Sequence, residues 1–220
     1  RSAARSGAGA NAHRVAPNAM KIVITALGSG GDVFPFIALG HVLQQRGHTV
    51  ALLANPHFAE AVAHAGLSLV PLGTEDEYLA ALRQPEIWDP RRGFAVIWRQ
   101  LMALTPRILA TLEAQIVPNQ TVLIGSTLSL ATRLAQERHG IPAAMVHLSP
   151  NCFLSAYEFP VTSARPVSSG LPLWVRRALL TVIDRILLDT TCARPLNTLR
   201  ATLGLPPVRS VMRRWLHSPD

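Results

Sequence analysis

Between residues 21 and 149, short apolar runs alternate with stretches of helical periodicity, and glycines or prolines separate them. That rhythm restricts the chain to an α/β architecture with a mostly parallel sheet, because parallel strands need crossovers long enough to hold a helix. KIVITAL (21–27) is short, wholly apolar beyond its lysine and threonine, and runs straight into glycines, as a buried parallel strand does. From Phe36 the positions Phe36, Leu39, Gly40 and Leu43 fall at helical spacing, and Gly47 closes the segment. Strands follow over 49–55, 67–72, 121–126 and 143–149. A short helix over 57–65 stops at Gly66, and a later one carries Leu130, Ala131, Leu134 and Ala135 on one face and stops at Gly140. Residues 76–117 read as helical in parts, broken at Pro85, Pro90 and Pro106. The expected fold is a doubly wound α/β layer structure with a mostly parallel sheet and without internal repeats.

Right-handed crossovers place the carboxyl ends of all strands along one edge of such a sheet, where ligands bind near the reversal of strand order. The loops that matter are therefore 28–35, 54–57, 72–76, 125–129 and 149–160. Nothing in the composition opposes a buried core: 49% of the residues are hydrophobic and 15% charged. No run reaches the roughly 18 apolar residues of a spanning helix. Cys152 and Cys192 lie too far apart for a zinc knuckle, and the eight histidines show no metal-ligand spacing, so no metal is expected.

The net charge of +8 raises the question of nucleic acid, and its distribution answers it. Residues 1–20 carry +3 and residues 163–220 carry +6, which leaves −1 for the region between. A folded nucleic-acid binder ordinarily carries a basic stripe on its core domain, so no nucleic-acid partner is expected. Only Lys21 among the 21 basic residues is a lysine, a bias that genome composition explains more simply than function. Residues 1–19 have no acid and no apolar periodicity. They resemble a transit peptide in composition alone, and read more simply as upstream translation or an expression scar outside the domain. The end at WLHSPD has no cap or polar tail, so we expect a piece of a longer protein.

The first expected strand runs into GSGGDVFP (28–35). Glycines allow close backbone approach to a ligand, and a helix amino terminus favours an anion. A dinucleotide fingerprint fits poorly, because its third glycine position is Val33 and the second strand ends Ala54, Asn55, Pro56 without the acid that holds a ribose. Asp32 remains, a carboxylate among glycines on the ligand edge. It serves either as a helix-capping acid or as a general base for a bound hydroxyl.

GSGGDVFPFIALGHVLQQRGHTVALLANPHF resembles the opening of the nucleotide-sugar glycosyltransferases built from two Rossmann-like domains, the GT-B type. The resemblance is to the branch of sterol glucosyltransferases, rhamnolipid rhamnosyltransferases and glycopeptide-antibiotic glycosyltransferases. Their G-S-x-G-D-V-x-P loop is matched here by Gly28, Ser29, Gly31, Asp32, Val33 and Pro35. It continues through AHAGLSLVPL, LAQERHGIPAAMVHLSP, LNTLRATLGLPPV and WLHSP, and so covers residues 21–220.

That resemblance implies that residues 20–220 form the acceptor-binding half of a GT-B fold, inactive alone, with the carboxyl-terminal donor domain absent. It implies a hexose moved from a nucleoside-diphosphate sugar to a lipid or small-molecule hydroxyl, by one displacement with inversion. The nucleotide sugar is then a co-substrate and no cofactor or metal takes part. Asp32 takes the acceptor proton, and Gly28, Ser29, Gly30 and Gly31 form the substrate and diphosphate loop. Other branches place a histidine in this loop with an acid after a later strand; here that later loop reads Gly125, Ser126, Thr127, so Asp32 has no dyad partner. His64-Ala65-Gly66 imitates the family's donor-site motif but closes a helix inside the first domain.

For the acceptor pocket the candidates are Trp88 and Trp98, with Phe94 nearby, and His147, Asn151 and Phe153 after the fifth strand, each of which ordinary packing also explains. In LPLWVRRALLTVIDRILL (171–188), Trp174, Leu179, Val182, Ile183, Ile186 and Leu187 form a broad apolar face beside Arg176, Arg177 and Arg185. Such a helix either packs on its own domain with a solvated basic side or lies on an anionic membrane. The expected location is cytoplasmic, with peripheral contact at the inner face of the membrane as the alternative. Two rival functions remain at this level: a non-enzymatic half-subunit that recruits a donor-binding partner, and a nicotinamide-dependent oxidoreductase domain.

Overall fold

A computed structural model describes residues 19–89, 92–157 and 170–217. Its centre is a five-stranded sheet in the order β3-β2-β1-β4-β5, built from β1 (Lys21–Thr25), β2 (Thr49–Ala54), β3 (Ser68–Pro71), β4 (Thr121–Ser126) and β5 (Ala143–Val146). Every pairing is parallel, with Lys21 opposite both Thr49 and Thr121. The apolar runs thus form the strands expected of them. β4 has the expected bounds, and the other four end a residue or more early because their last positions turn into the ligand-edge loops.

Side chains alternate across the sheet with the period of two that a strand imposes. Ile22, Ile24, Val50, Leu52 and Ile124 face α1 (Gly30–Gln45) and α2 (Ala59–His64), which bury Val33, Phe36, Ile37 and Val62 against them. Val23, Leu53 and Leu123 face the opposite way, toward α4 (Gly93–Glu113), α5 (Leu130–His139) and α7 (Asp189–Thr202). The result is helix, sheet, helix in three layers. At Gly40 a β-carbon would stand 2.9 Å from Leu67 Cδ1 and 3.3 Å from Ile24 Cδ1, so α1 packs closely on the sheet and a larger residue there makes Leu67 shift.

Two helix boundaries differ from the sequence expectation. Helix α1 begins at Gly30, not Phe36, so all of the glycine-rich loop beyond Gly28 and Ser29 is helix. Pro106 lies inside α4 without breaking it, because one lost backbone bond is outweighed by the buried row Leu101, Thr105, Ile108, Leu109 and Leu112. Pro85 does mark a boundary, starting the turn Pro85–Trp88 between α3 (Glu75–Leu82) and α4, while Pro90 lies outside the described residues.

Strand order reverses between β1 and β4, and both strands deliver loops to the same edge. Across that divergence the Leu27 amide donates to Ser126 Oγ at 3.2 Å. The carboxyl-terminal turn Val211–Trp215 is tied to α5 by a half-buried cluster: Arg200 Nη2 meets Glu137 Oε2 at 2.7 Å, Trp215 Nε1 donates to Glu137, and Arg133 Nε donates to the Trp215 carbonyl at 2.9 Å. Among the described residues no helix is long and apolar enough to cross a membrane. Residues 1–18, most of the expected extension, lie outside the described residues.

Candidate functional site

The turn from β1 into α1 sets the site. Ala26 donates its amide to the Leu53 carbonyl and is the last residue tied to the sheet ladder in this way. Gly28 then takes φ +123°, a backbone conformation that side chains resist, and Ser29 caps α1. The space above Gly28 belongs to Asp32: an added β-carbon would lie 2.4 Å from Asp32 Oδ2. Gly31, by contrast, has room, its nearest foreign atom being Ser29 Oγ at 3.7 Å.

Asp32 is the third residue of α1, and its Oδ2 accepts from the Ser29 amide at 2.8 Å and from Ser29 Oγ at 2.9 Å. This is the capping role that an acid at this position ordinarily fills. It engages one oxygen only: among the described residues Oδ1 takes no hydrogen bond. The carboxylate is half-buried and lines a cavity of about 440 Å³.

That cavity lies between the β1–α1 turn and the cap made by α3, the Pro85–Trp88 turn and α4. Apolar side chains dominate its wall, with Ile97, Leu101, Leu104 and Ile108 of α4 forming one side. Asn55, Glu77, Tyr78, Gln100 and Arg107 supply most of the polar groups besides Asp32 and Ser29. Tyr78 packs against Phe58 (centroids 5.6 Å apart) and His57 (5.0 Å), and burial, then the negative charge of Asp32, raises its phenol pKa above the usual value. Glu77 and Arg107 face each other at 3.6 Å and link α3 to α4.

Asn55 stands where a dinucleotide-binding domain would carry its ribose-holding acid. Its amide donates to the Leu72 and Thr74 carbonyls at 3.1 and 2.9 Å, and its Oδ1 accepts from the His57 amide. Bonded in this way, it fastens two loops of the ligand edge.

Of the sequence candidates, Asp32, Gly28, Ser29 and Trp88 line this cavity together. Gly30 and Gly31 supply the first turn of α1 behind it. Trp98 is buried in the core and stacks on Phe94, with centroids 6.3 Å apart, outside the cavity wall. His147 and Phe153 form another cluster with His217: His147 Nε2 lies 3.0 Å from His217 Nδ1, Thr127 Oγ1 lies 3.1 Å from His147 Nδ1, and Phe153 stacks on His217. Burial lowers the pKa of both histidines, and the neighbouring His217 charge adds to the effect at His147. Asn151 lies in the turn Pro150–Cys152, and its side chain is outside the described residues.

Tyr78, Gln100, Glu77, Arg107 and the inner stripe of α4 were not singled out from the sequence. The stripe had a signal, since 97, 101, 104 and 108 share one helical face. Nothing in a periodicity distinguishes a face that lines a cavity from one that fills a core. Among the described residues no group of three or more potential ligands is arranged to hold a metal ion.

Comparisons with known proteins bear on the family and the fold. The family model described as the glycosyltransferase family 28 N-terminal domain matches residues 22–157. The uncharacterized glycosyltransferase Rv1524 of Mycobacterium tuberculosis is 32% identical over 196 residues, which cover 85% of this chain and 44% of that protein. A shorter stretch of 61 residues is 44% identical to the sterol 3-beta-glucosyltransferase UGT80A2 of Arabidopsis thaliana, covering 28% of this chain and 10% of that one. Among solved structures, the glycosyltransferase VinC in complex with dTDP superposes with a TM-score of 0.53 at 19% identity, over 88% of this chain and 46% of that one. That likeness carries the fold, a Rossmann-like half of a GT-B glycosyltransferase. The chain spans less than half the length of the curated relatives that match most of it.

Proposed function

Because this chain belongs to glycosyltransferase family 28, as its N-terminal domain, we propose that it is the acceptor-binding half of an inverting glycosyltransferase. The reaction moves a hexose from a nucleoside-diphosphate sugar to a hydroxyl on a lipid or small molecule. The observation that carries the reading is the state of Asp32: a carboxylate fixed through Oδ2, with Oδ1 unengaged, on the wall of a large apolar cavity. A hydroxyl bound there gives its proton to Oδ1 while its oxygen forms a bond to the anomeric carbon. The bond from that carbon to the nucleoside diphosphate breaks on the opposite face, so configuration inverts. A positioned base of this kind contributes about 10²–10⁴ in rate.

The two bonds from Ser29 serve the chemistry as well as the helix. They fix the carboxylate's orientation in advance, so that little reorganisation is needed when the hydroxyl arrives. The apolar wall supports an acceptor with a substantial apolar body, as the similarity to a sterol glucosyltransferase also does. The dTDP bound to VinC supports a nucleotide-sugar donor. This reading assigns most donor contacts to the other half of a GT-B fold, without which the chain is expected to be inactive. No metal or cofactor is assigned a part. The location follows from none of these contacts, and we retain the cytoplasmic expectation as part of the proposal.

The test is Asp32→Asn in an enzyme that joins this chain to its donor domain. Transfer should fall at least about a hundredfold, with the circular dichroism spectrum and acceptor binding retained. Turnover within a few-fold of the parent would remove Asp32 from the mechanism.

A further inference from the structure

Helix α6 (Leu173–Val182) continues through the π-helical turn Ile183–Leu188 into α7. If it simply packed on its own domain, its apolar residues would face inward. They do not. Leu180 is buried, yet Trp174 is 73% exposed, Val182 51%, Ile186 61% and Leu187 62%. Leu171, Trp174, Ala178, Val182 and Ile186 are all exposed and follow one another at three- and four-residue spacing, which places them along one outward stripe.

Among the described residues of 170–217 the exposed charges around that stripe have one sign. Arg177 and Arg185 are exposed beside it, Arg176 is half-buried, and Arg213 Nη1 donates to Thr181 Oγ1 at 3.1 Å, bringing a fourth guanidinium alongside α6. Residues 170–217 hold only two acids, and neither offsets the arginines at the surface. Asp184 is 1% exposed, and Asp189 accepts from the Ser210 and Val211 amides at 2.8 and 3.0 Å. Tyr157, itself exposed, lies under Arg177 with 5.9 Å between guanidinium carbon and ring centroid.

An apolar stripe with an exposed tryptophan and tyrosine, bordered by arginines and, among the described residues of 170–217, free of unpaired exposed carboxylates, matches a lipid surface with anionic headgroups. Apolar side chains enter the acyl boundary, aromatic rings sit at headgroup level, and guanidiniums meet phosphates. A protein partner would need no such uniform sign. We infer that the outward face of α6 and the following π turn docks this domain on an anionic membrane. The inference does not depend on the cavity or on Asp32.

Flotation of the full chain with vesicles of phosphatidylcholine alone, and of phosphatidylcholine with about a third phosphatidylglycerol, tests it. Binding to the anionic vesicles only is expected, with loss at high salt and quenching of Trp174 fluorescence by brominated lipid. Trp174→Phe should abolish most of the quenching. Trp174→Glu and, separately, Ile186→Glu should each reduce the bound fraction at least about tenfold while the circular dichroism spectrum stays that of the parent. At roughly 1 kcal/mol per surface arginine, Arg177→Gln with Arg185→Gln should weaken binding about thirtyfold. The three arginines of residues 1–20 also attract anionic lipid, but binding through them alone would ignore Trp174 and Ile186. Such insensitivity, equal binding to neutral vesicles, or no binding at all would overturn the inference. So would a dimer that Trp174→Glu converts to a monomer, which assigns the face to a second copy of the chain.

Discussion

The closest approach at the site gives a sharp mutational test. Gly28→Ala adds one carbon at a position with φ +123° and drives it to 2.4 Å from Asp32 Oδ2 and 2.7 Å from Asp32 Cγ. The backbone strain costs about 1–3 kcal/mol. Displacing Asp32 forfeits its two bonds to Ser29, a loss of about 0.5–2 kcal/mol for a cap. The sum, about 1.5–5 kcal/mol, corresponds to a fall in Tm of about 3–20 °C for a chain of this size. The same exchange three residues later should have the opposite sign. Gly31→Ala meets nothing closer than 3.7 Å and gains helix propensity, so its effect lies between zero and about 1 kcal/mol of stabilisation. A double-mutant cycle by thermal or urea unfolding separates the collision from the strain. Asp32→Ala removes both of the nearest atoms, so Gly28→Ala should cost at least about 1 kcal/mol less in that background. Additive effects within about 0.5 kcal/mol, or a Gly28→Ala protein as stable as the parent, would refute the close packing of carboxylate on turn.

Three other outcomes follow from groups away from the cavity. Arg200 is 1% exposed and held by Glu137, so Glu137→Ala leaves a buried cation without its partner and should destabilise by about 3–5 kcal/mol in urea titrations; a loss below about 1 kcal/mol would contradict this pairing. His147 and His217 have pKa values lowered from 6.5, so the folded chain binds fewer protons than the unfolded one as the pH drops below that value. Their contribution to stability is complete above about pH 6.5 and lost as pH falls through the depressed values. Tm should therefore drop more steeply between pH 7 and 5 for the parent than for His217→Phe, and identical profiles would argue against the pair. Cys192 is fully buried and its thiol pKa is pushed up to about 12, first by burial and then by Asp189 and Asp184. At pH 8 one thiol, Cys152, should react with an aromatic disulfide in the native chain and two in urea; two rapid equivalents without denaturant would show an open α7.

The strands were legible in the sequence because an apolar run that ends at a glycine or proline has few alternatives in an α/β chain. The start of α1 was not legible from periodicity, since glycines at 30 and 31 look like loop wherever they occur. The better signal was Ser29 followed by Asp32, the serine-to-acid spacing of a capped helix start. Pro106 misled for a similar reason: local chemistry argues for a break, and only the packed face of α4 overrides it. At the site, Asp32 and its glycines stood out because unusual backbone needs unusual residues. The apolar cavity wall did not, because Leu101 and Leu104 read alike until Leu104 proves half-exposed beside a hollow and Leu101 buried. Trp98 and Trp88 show the same ambiguity, one closing the core and the other lining the cavity.

The bond from Leu27 to Ser126 has a mechanical consequence. It extends the β1–β4 ladder by one side-chain tie at the point where their connections part, so the floor beneath the carboxylate resists gaping as two jaws would. Any breathing needed to admit a bulky guest must come from the roof, where α3 and α4 are clasped across their span by a solvent-softened ion pair.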